Sequence, residues 1–101
     1  MKGHAERRMV VDHPAAAGHF PGNPILPGAT LLAEIIGAIG AGLPGLICRH
    51  IVAAKFLHPV RPGDLLVIDW EDTPDGDVRF TGTRGSDGSR VLAGALRFGP
   101  P

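Results

Sequence analysis

The chain has 101 residues, of which 44% are hydrophobic and 20% charged, and its ten basic side chains balance ten acidic ones. This length predicts a single domain over residues 1–101, and the neutral balance gives no bulk attraction to nucleic acid or anionic lipid. The single cysteine excludes a disulfide within the chain, and the N-terminal residues lack the apolar core of a secretory signal. We therefore expect a cytoplasmic protein without a membrane span, since Pro27, Glu34 and Pro44 interrupt its longest apolar region.

Taken in chain order, the sequence predicts one strand, a rigid loop and one helix. The stretch "RRMVVDHP" is typical of a short strand stopped by Pro14. The following "GHFPGNPILPGA", residues 18–29, carries too many prolines and glycines for a helix or a central strand. A helix is predicted from about Gly28 to about Gly42, where "LPG" ends it.

The residues after the helix favour strands joined by tight turns. The turns "RPGD", "PDGD" and "SDGS" separate the segments "LICRHIVAAKFLHPV", "LLVIDWEDT", "VRFTGTRG" and "RVLAGALRF". Because the last two turns are good hairpin signals, the final three strands are predicted to form an antiparallel meander. The fold class is therefore α+β.

The predicted helix divides into a half with large side chains and a half with small ones. The large half, which predicts a core face, holds Leu31, Leu32, Ile35, Ile36, Ile39 and Leu43. The small half holds Ala29, Thr30, Ala33, Glu34, Gly37, Ala38, Gly40 and Ala41. A helix that lacks a charged face is usually buried on all sides. Because the chain is small, we expect a second subunit to cover the small half.

Three groups near the helix start are suited to acid–base chemistry. His19 lies in the loop restricted by prolines, and an imidazole is suited to removing a proton near neutrality. Glu34 is the only charged residue between His19 and Arg49, and burial favours the protonated, proton-donating form of a carboxyl group. Gly28 begins the helix, where the first amides can hold a carbonyl oxygen. Plainer interpretations stay open: a surface histidine, and a glutamate paired with Lys or Arg.

The segment "GHFPGNPILPGATLLAE" resembles the signature of the β-hydroxyacyl-acyl carrier protein dehydratases, with a histidine in H-F-P-G and Pro-Gly at the helix start. The segment "AAKFLHPVRPGDLL" resembles a second stretch of that family. The chain is most similar to a compact branch found in secondary lipid pathways such as aryl-polyene synthesis. The resemblance implies the hot-dog fold, in which an antiparallel sheet of about five strands wraps around one central helix, and it implies dimers or larger assemblies.

The resemblance also implies a hydro-lyase that converts a (3R)-hydroxyacyl thioester into a trans-2-enoyl thioester in fatty acid or related lipid biosynthesis. His19 would remove the proton next to the thioester carbonyl. Glu34, on the helix of the partner subunit, would expel the hydroxyl group as water. The amides of Gly28 and Ala29 would hold the thioester oxygen. The other implied substrate-binding residues are Phe20, Pro27 and Ala33.

The implied partners are an acyl carrier protein or coenzyme A, which carry the acyl group on phosphopantetheine, and a second hot-dog subunit, identical or related. No cofactor is implied. Neither histidines nor carboxylates show metal-ligand spacing, so no metal is predicted.

One departure from the family pattern concerns the acid. Better-known members carry it fourteen residues after the histidine, where this chain has Ala33, and Glu34 is one residue later. One residue turns a side chain by about 100° around a helix, but both positions lie on the small half, so Glu34 can serve if the helix is slightly rotated or the loop reshaped. The resemblance to the compact branch, which carries its acid at this later position, favours Glu34, whereas strict transfer of the family pattern leaves the site without an acid. Two alternatives stay open: a thioesterase in which Glu34 activates water without His19, and a non-catalytic subunit that pairs with an active relative.

Overall fold

The computed structural model describes residues 2–9 and 25–101, and within these ranges the chain forms one helix and five strands. In chain order the elements are β1 (Lys2–Arg8), α1 (Gly28–Ala41), β2 (Ile47–Phe56), β3 (Leu65–Asp72), β4 (Val78–Arg84) and β5 (Arg90–Gly99). The strands form one antiparallel sheet in the order β1-β3-β4-β5-β2. The predicted α+β class, with about five strands and one helix, is confirmed.

The first strand begins earlier than predicted. It covers Lys2–Arg8 and pairs with β3 from Lys2 opposite Glu71 to Arg8 opposite Leu65. The predicted segment "RRMVVDHP" overlaps β1 only at its two arginines, and residues 10–14 lie outside the described ranges. Residues 2–8 carry little apolar surface, so their extended conformation depends on hydrogen bonding to β3 rather than on their own hydrophobic pattern.

The helix packs its large half against one face of the sheet. Its buried residues are Leu31, Leu32, Ile35, Ala38 and Ile39, and Ile36 and Leu43 are partly buried against the same core. Ile35 is fully buried above Gly82 of β4, where an added Cβ would lie 3.4 Å from the Ile35 Cδ1 atom. Burying each Leu or Ile of this face contributes about 1.5–3 kcal/mol, so the predicted core face is confirmed as the main contact of α1.

The last three strands form the predicted meander. The turns that join them contain Gly76 with φ 86° and Gly88 with φ 74°, conformations that favour glycine. The pairs Trp70–Phe80 and Ile68–Gly82 place one side of β3 and β4 under the helix. The tight turns therefore set the register that brings the apolar side chains to the core face.

Strand β2 is an edge strand with exposed apolar side chains. It pairs only with β5, and the register shifts twice along the pair. Large hydrophobic residues in and next to it are 40 to 51% exposed, namely Leu46, Ile47, Ile51, Val52, Phe56 and Leu57. A long, apolar, unpaired edge is typical of a surface that another chain covers.

The outer face of the sheet, opposite α1, carries a charged cluster that joins β1 to β3. The His4 Nδ1 atom lies 2.8 Å from the Asp69 Oδ1 atom, and the His4 Nε2 atom lies 3.2 Å from the Glu6 Oε2 atom. The hydrogen bond to Asp69, and then that to Glu6, raises the pKa of His4 above its ordinary value of 6.5.

This cluster makes stability depend on pH. The pKa of His4 is higher in the folded than in the unfolded state, so protonated His4 stabilises the fold. This contribution to the free energy of unfolding is fully present below pH 6.5 and is lost as the pH rises through the folded-state pKa. We expect the Tm difference between wild type and His4→Gln to be larger at about pH 5.5 than at about pH 8.5, by no more than a few degrees because the groups are exposed. Asp69→Asn should reduce the pH dependence in the same way. A difference that is equal at both pH values would contradict this assignment.

Candidate active site

The helix start leaves backbone amides without partners inside the helix. Pro27 is the N-cap residue, with φ −59° and ψ 146°, and no side chain caps this end. Its carbonyl accepts hydrogen bonds from the amides of Thr30 at 3.0 Å and Leu31 at 3.3 Å. The amides of Gly28 and Ala29 have no acceptor within the helix and lie at the positive end of its dipole. They are placed to donate to an oxygen on which negative charge develops.

A cavity of about 540 Å³ lies beside this helix start. Residues 56–60 form one wall, and the Leu26 amide donates to the Val60 carbonyl at 2.8 Å, which ties the segment before the helix to that wall. The ring of Phe56 stands over Gly28, where an added Cβ would lie 2.7 Å from the Phe56 Cε1 atom. The lack of a side chain at Gly28 therefore lets an aromatic ring approach the first turn.

A second cavity, also of about 540 Å³, runs along the small half of α1, and we call it the helix groove. It is lined by Arg7, Ala29, Thr30, Ala33, Glu34, Gly37 and Ala38. Ala29, in the first turn of α1, lines both cavities. Of the small half, Ala38 is buried within the chain, whereas Ala29, Ala33 and Gly37 are exposed.

Glu34 lies in the helix groove beside Ala33. Its side chain is half-buried, and within the described ranges it forms no hydrogen bond or ion pair. The small half of α1 is open in the single chain, so one chain alone leaves this carboxyl group half-buried. Further burial of Glu34 requires something else to cover the groove.

The predicted site residues fall into two groups. Glu34, Gly28, Ala29 and Ala33 line the two cavities, and Pro27 is the N-cap residue of α1. His19 and Phe20 lie outside the described residues, so their predicted positions remain predictions.

Other kinds of site are not evident in residues 2–9 and 25–101. A hollow of about 530 Å³ beside β1, β3 and β4 is lined by Gly3, Trp70 and Phe80 together with polar and charged side chains, among which Arg79 pairs with Glu71 at 2.9 Å. No group of three His, Cys, Asp or Glu residues in these ranges is placed to hold a metal ion. In the same ranges, no helix has the length and hydropathy needed to cross a bilayer.

Two residues at the candidate site were not predicted from the sequence. Phe56 was assigned only to a strand, and its contact with Gly28 depends on how β2 packs beside the helix start. Arg7 was predicted only as the first residue of the strand segment "RRMVVDHP". In the structure, Gly3, Ala5 and Arg7 are half-buried and alternate with exposed residues of β1, and this alternation places Arg7 on the helix side of the strand.

Comparison with known proteins gives a consistent result. The model of the ApeI-like family, described as ApeI dehydratase, matches residues 2–94. The 3-hydroxyacyl-[acyl-carrier-protein] dehydratase FabZ of Vibrio vulnificus is 33% identical over 106 residues, covering 93% of this chain and 71% of that protein. FabZ of Chlamydia trachomatis is 37% identical over 78 residues, covering 66% of this chain and 50% of that protein. The chain thus spans about half the length of this second relative.

A solved structure shares the fold. The dehydratase heterocomplex ApeI:P from Xenorhabdus doucetiae matches with a TM-score of 0.81 at 20% sequence identity, covering 96% of this chain and 86% of the matched chain. At this level of identity the likeness shows the fold alone. The hot-dog fold expected from the sequence is confirmed.

The two glycines of α1 that line these cavities should respond differently to alanine. Gly28→Ala should destabilise by about 1 kcal/mol, because the new Cβ displaces the Phe56 ring. Gly37→Ala should stabilise by about 1 kcal/mol, because nothing lies within 4 Å of its added Cβ and alanine favours the helix. Denaturant unfolding measures both, and Phe56→Ala should remove most of the cost of Gly28→Ala. Equal effects of the two substitutions would contradict the described packing.

Proposed function

We propose that this chain, which belongs to the ApeI-like dehydratase family, removes water from a (3R)-hydroxyacyl thioester to form the trans-2-enoyl thioester. The observation that carries the proposal is that Ala29, in the first turn of α1, lines both the cavity at the helix start and the helix groove, which Glu34 also lines. A thioester carbonyl held by Gly28 and Ala29 directs its acyl group into the helix groove.

The spacing along the helix suits this substrate. The axial rise from Ala29 to Glu34 is about 7.5 Å, and side chains on a helix lean toward its N terminus. In the proposed complex the carboxyl group of Glu34 reaches C3, the carbon that lies two bonds from the thioester carbonyl carbon. That carbon carries the hydroxyl group which leaves.

In the proposed elimination, His19 takes a proton from C2 while the C2–C3 double bond forms. The C3–O bond breaks, and Glu34 donates a proton so that the oxygen leaves as water. The amides of Gly28 and Ala29 donate hydrogen bonds to the thioester oxygen, where negative charge builds up in the transition state. Proton transfer from His19 back to Glu34 through water then restores both groups.

The second subunit in this proposal is a copy of the same chain. Two apolar surfaces are open in one chain, the edge of β2 and the helix groove, and a symmetric partner can cover both. Covering the groove removes water from Glu34 and favours its protonated form, which the proposed acid requires. The substrate then lies along α1 of one chain, which supplies Gly28, Ala29 and Glu34, and the other chain of the dimer supplies His19.

Ala33 supports a second candidate function. It occupies the position at which the acid is expected from the family signature, so a chain in which Glu34 does not serve would lack an acid. The chain would then be a non-catalytic subunit of a mixed dimer, and the matched Xenorhabdus doucetiae structure is itself described as a heterocomplex. Activity of the purified chain on its own separates the two functions.

The acyl carrier is proposed to be an acyl carrier protein, as in the names of the FabZ relatives, or else coenzyme A. The proposed reaction needs no redox cofactor, because the elimination transfers only protons and water. Action in fatty acid or related lipid synthesis, a cytoplasmic location and a single domain remain predictions.

The direct test is the formation of enoyl absorbance from a 3-hydroxyacyl carrier-protein thioester by the purified chain. His19→Ala and Glu34→Gln should each lower kcat by about 10²- to 10⁴-fold, because each removes one proton-transfer group. Glu71→Gln makes the same chemical change on the exposed outer face and should leave kcat unchanged.

Three outcomes would overturn the proposal. An inactive wild type over a range of acyl chain lengths would reject dehydratase activity of the chain alone. Release of free thiol that is insensitive to His19→Ala would identify a thioesterase. Full activity of Glu34→Gln would remove Glu34 from the mechanism.

A further inference from the structure

Arg7 occupies an unusual place for a cation, on the helix side of β1. It lies opposite Leu66, a fully buried core residue of β3, and shares its side of the strand with Gly3 and Ala5. All three of these β1 residues are half-buried, whereas their neighbours on the outer face are exposed. Arg7 therefore faces the helix groove that Glu34 lines from the opposite side.

The guanidinium group is only partly satisfied within the described residues. One Nη1 atom donates to the Glu6 carbonyl oxygen at 3.0 Å. No ion pair joins Arg7 to Glu34 or to any other carboxylate in residues 2–9 and 25–101. A guanidinium has five N–H donors and stays charged at all ordinary pH values. Several donors thus remain for a group that enters the groove.

This placement has a consequence for the acyl group. A saturated chain that fills the groove displaces water from Arg7 and offers no acceptor in return, which leaves a charge desolvated and unpaired. The other residues of the groove, apart from Thr30 and Glu34, are small and apolar and supply no compensating acceptor. An oxygen atom on the acyl group would instead accept a charge-assisted hydrogen bond.

We propose that Arg7 determines acyl specificity, so that the groove prefers acyl groups with an oxygen acceptor beyond C3 to saturated acyl groups of the same length. This inference rests on the proposed function, because it takes the helix groove to be the acyl site. Arg7 binds the acyl group and takes no part in the proton transfers.

The test measures binding of unreactive analogues by calorimetry. Two pantetheine amides of equal acyl length, both lacking the 3-hydroxyl group, differ only in a ketone oxygen near the end of the acyl chain. Wild type should bind the oxygenated analogue at least about tenfold more tightly, as expected for a hydrogen bond to a charged donor. Arg7→Met should lose or reverse this preference, and Arg7→Lys should keep part of it because it keeps the charge.

Arg8→Met is the matched control. Arg8 is the next residue of β1, is exposed on the outer face and donates to the Gly63 carbonyl at 2.9 Å. It should show the wild-type preference. The Tm of each variant shows whether it folds. If Arg7→Met is unstable, the ratio of binding of the two analogues is measured on Arg7→Lys instead.

The outcomes separate this inference from the proposed function. If wild type dehydrates a 3-hydroxyacyl thioester but Arg7→Met and Arg7→Lys both bind the two analogues in the wild-type ratio, the role of Arg7 is wrong and the function stands. If wild type is active and prefers the saturated analogue, the role of Arg7 is also wrong. If wild type binds neither analogue and is inactive, both proposals fall.

Discussion

One constraint governs this small protein: a single five-stranded sheet covers only half of its only described helix. The large half of α1 buries Leu31, Ile35 and Ile39 against the sheet. The other half consists of small residues and one glutamate, and most of it stays open in the single chain. Both the candidate site and the predicted dimer use this open half of α1, because each requires a surface that the chain does not cover itself.

The small residues of the open half leave room for the proposed substrate in a short chain. Ala33 and Gly37 leave the helix backbone close to the groove, and Ala29 continues that space to the helix start. Phe56 closes the other side of the start, and it belongs to the edge strand whose apolar side chains are exposed. Substrate space and the exposed strand are therefore adjacent, so a partner that covers β2 also shapes the proposed site.

Much of this architecture was predictable, and the exceptions have physical reasons. The helix and the meander follow from periodicity and from turn glycines such as Gly76, which are local signals. Residues 2–6 of β1 were not predicted as a strand, because they are mostly polar and their conformation depends on pairing with β3. The position of Arg7 in the helix groove follows from the pairing of β1 with β3, which the sequence of β1 alone does not specify. The two-sided helix predicted where Glu34 lies, but one sequence cannot show how deeply a partner buries it.

The central claim is that the open half of α1 completes an active site across a subunit boundary, with His19 and Glu34 supplied by different chains. Subunit mixing tests this most directly: inactive His19→Ala and Glu34→Gln proteins are combined, allowed to exchange subunits and assayed for dehydration. Random exchange should restore about a quarter of the wild-type activity, since each mixed dimer regains one intact site. No recovery, with mixed dimers confirmed by mass spectrometry, would contradict the claim.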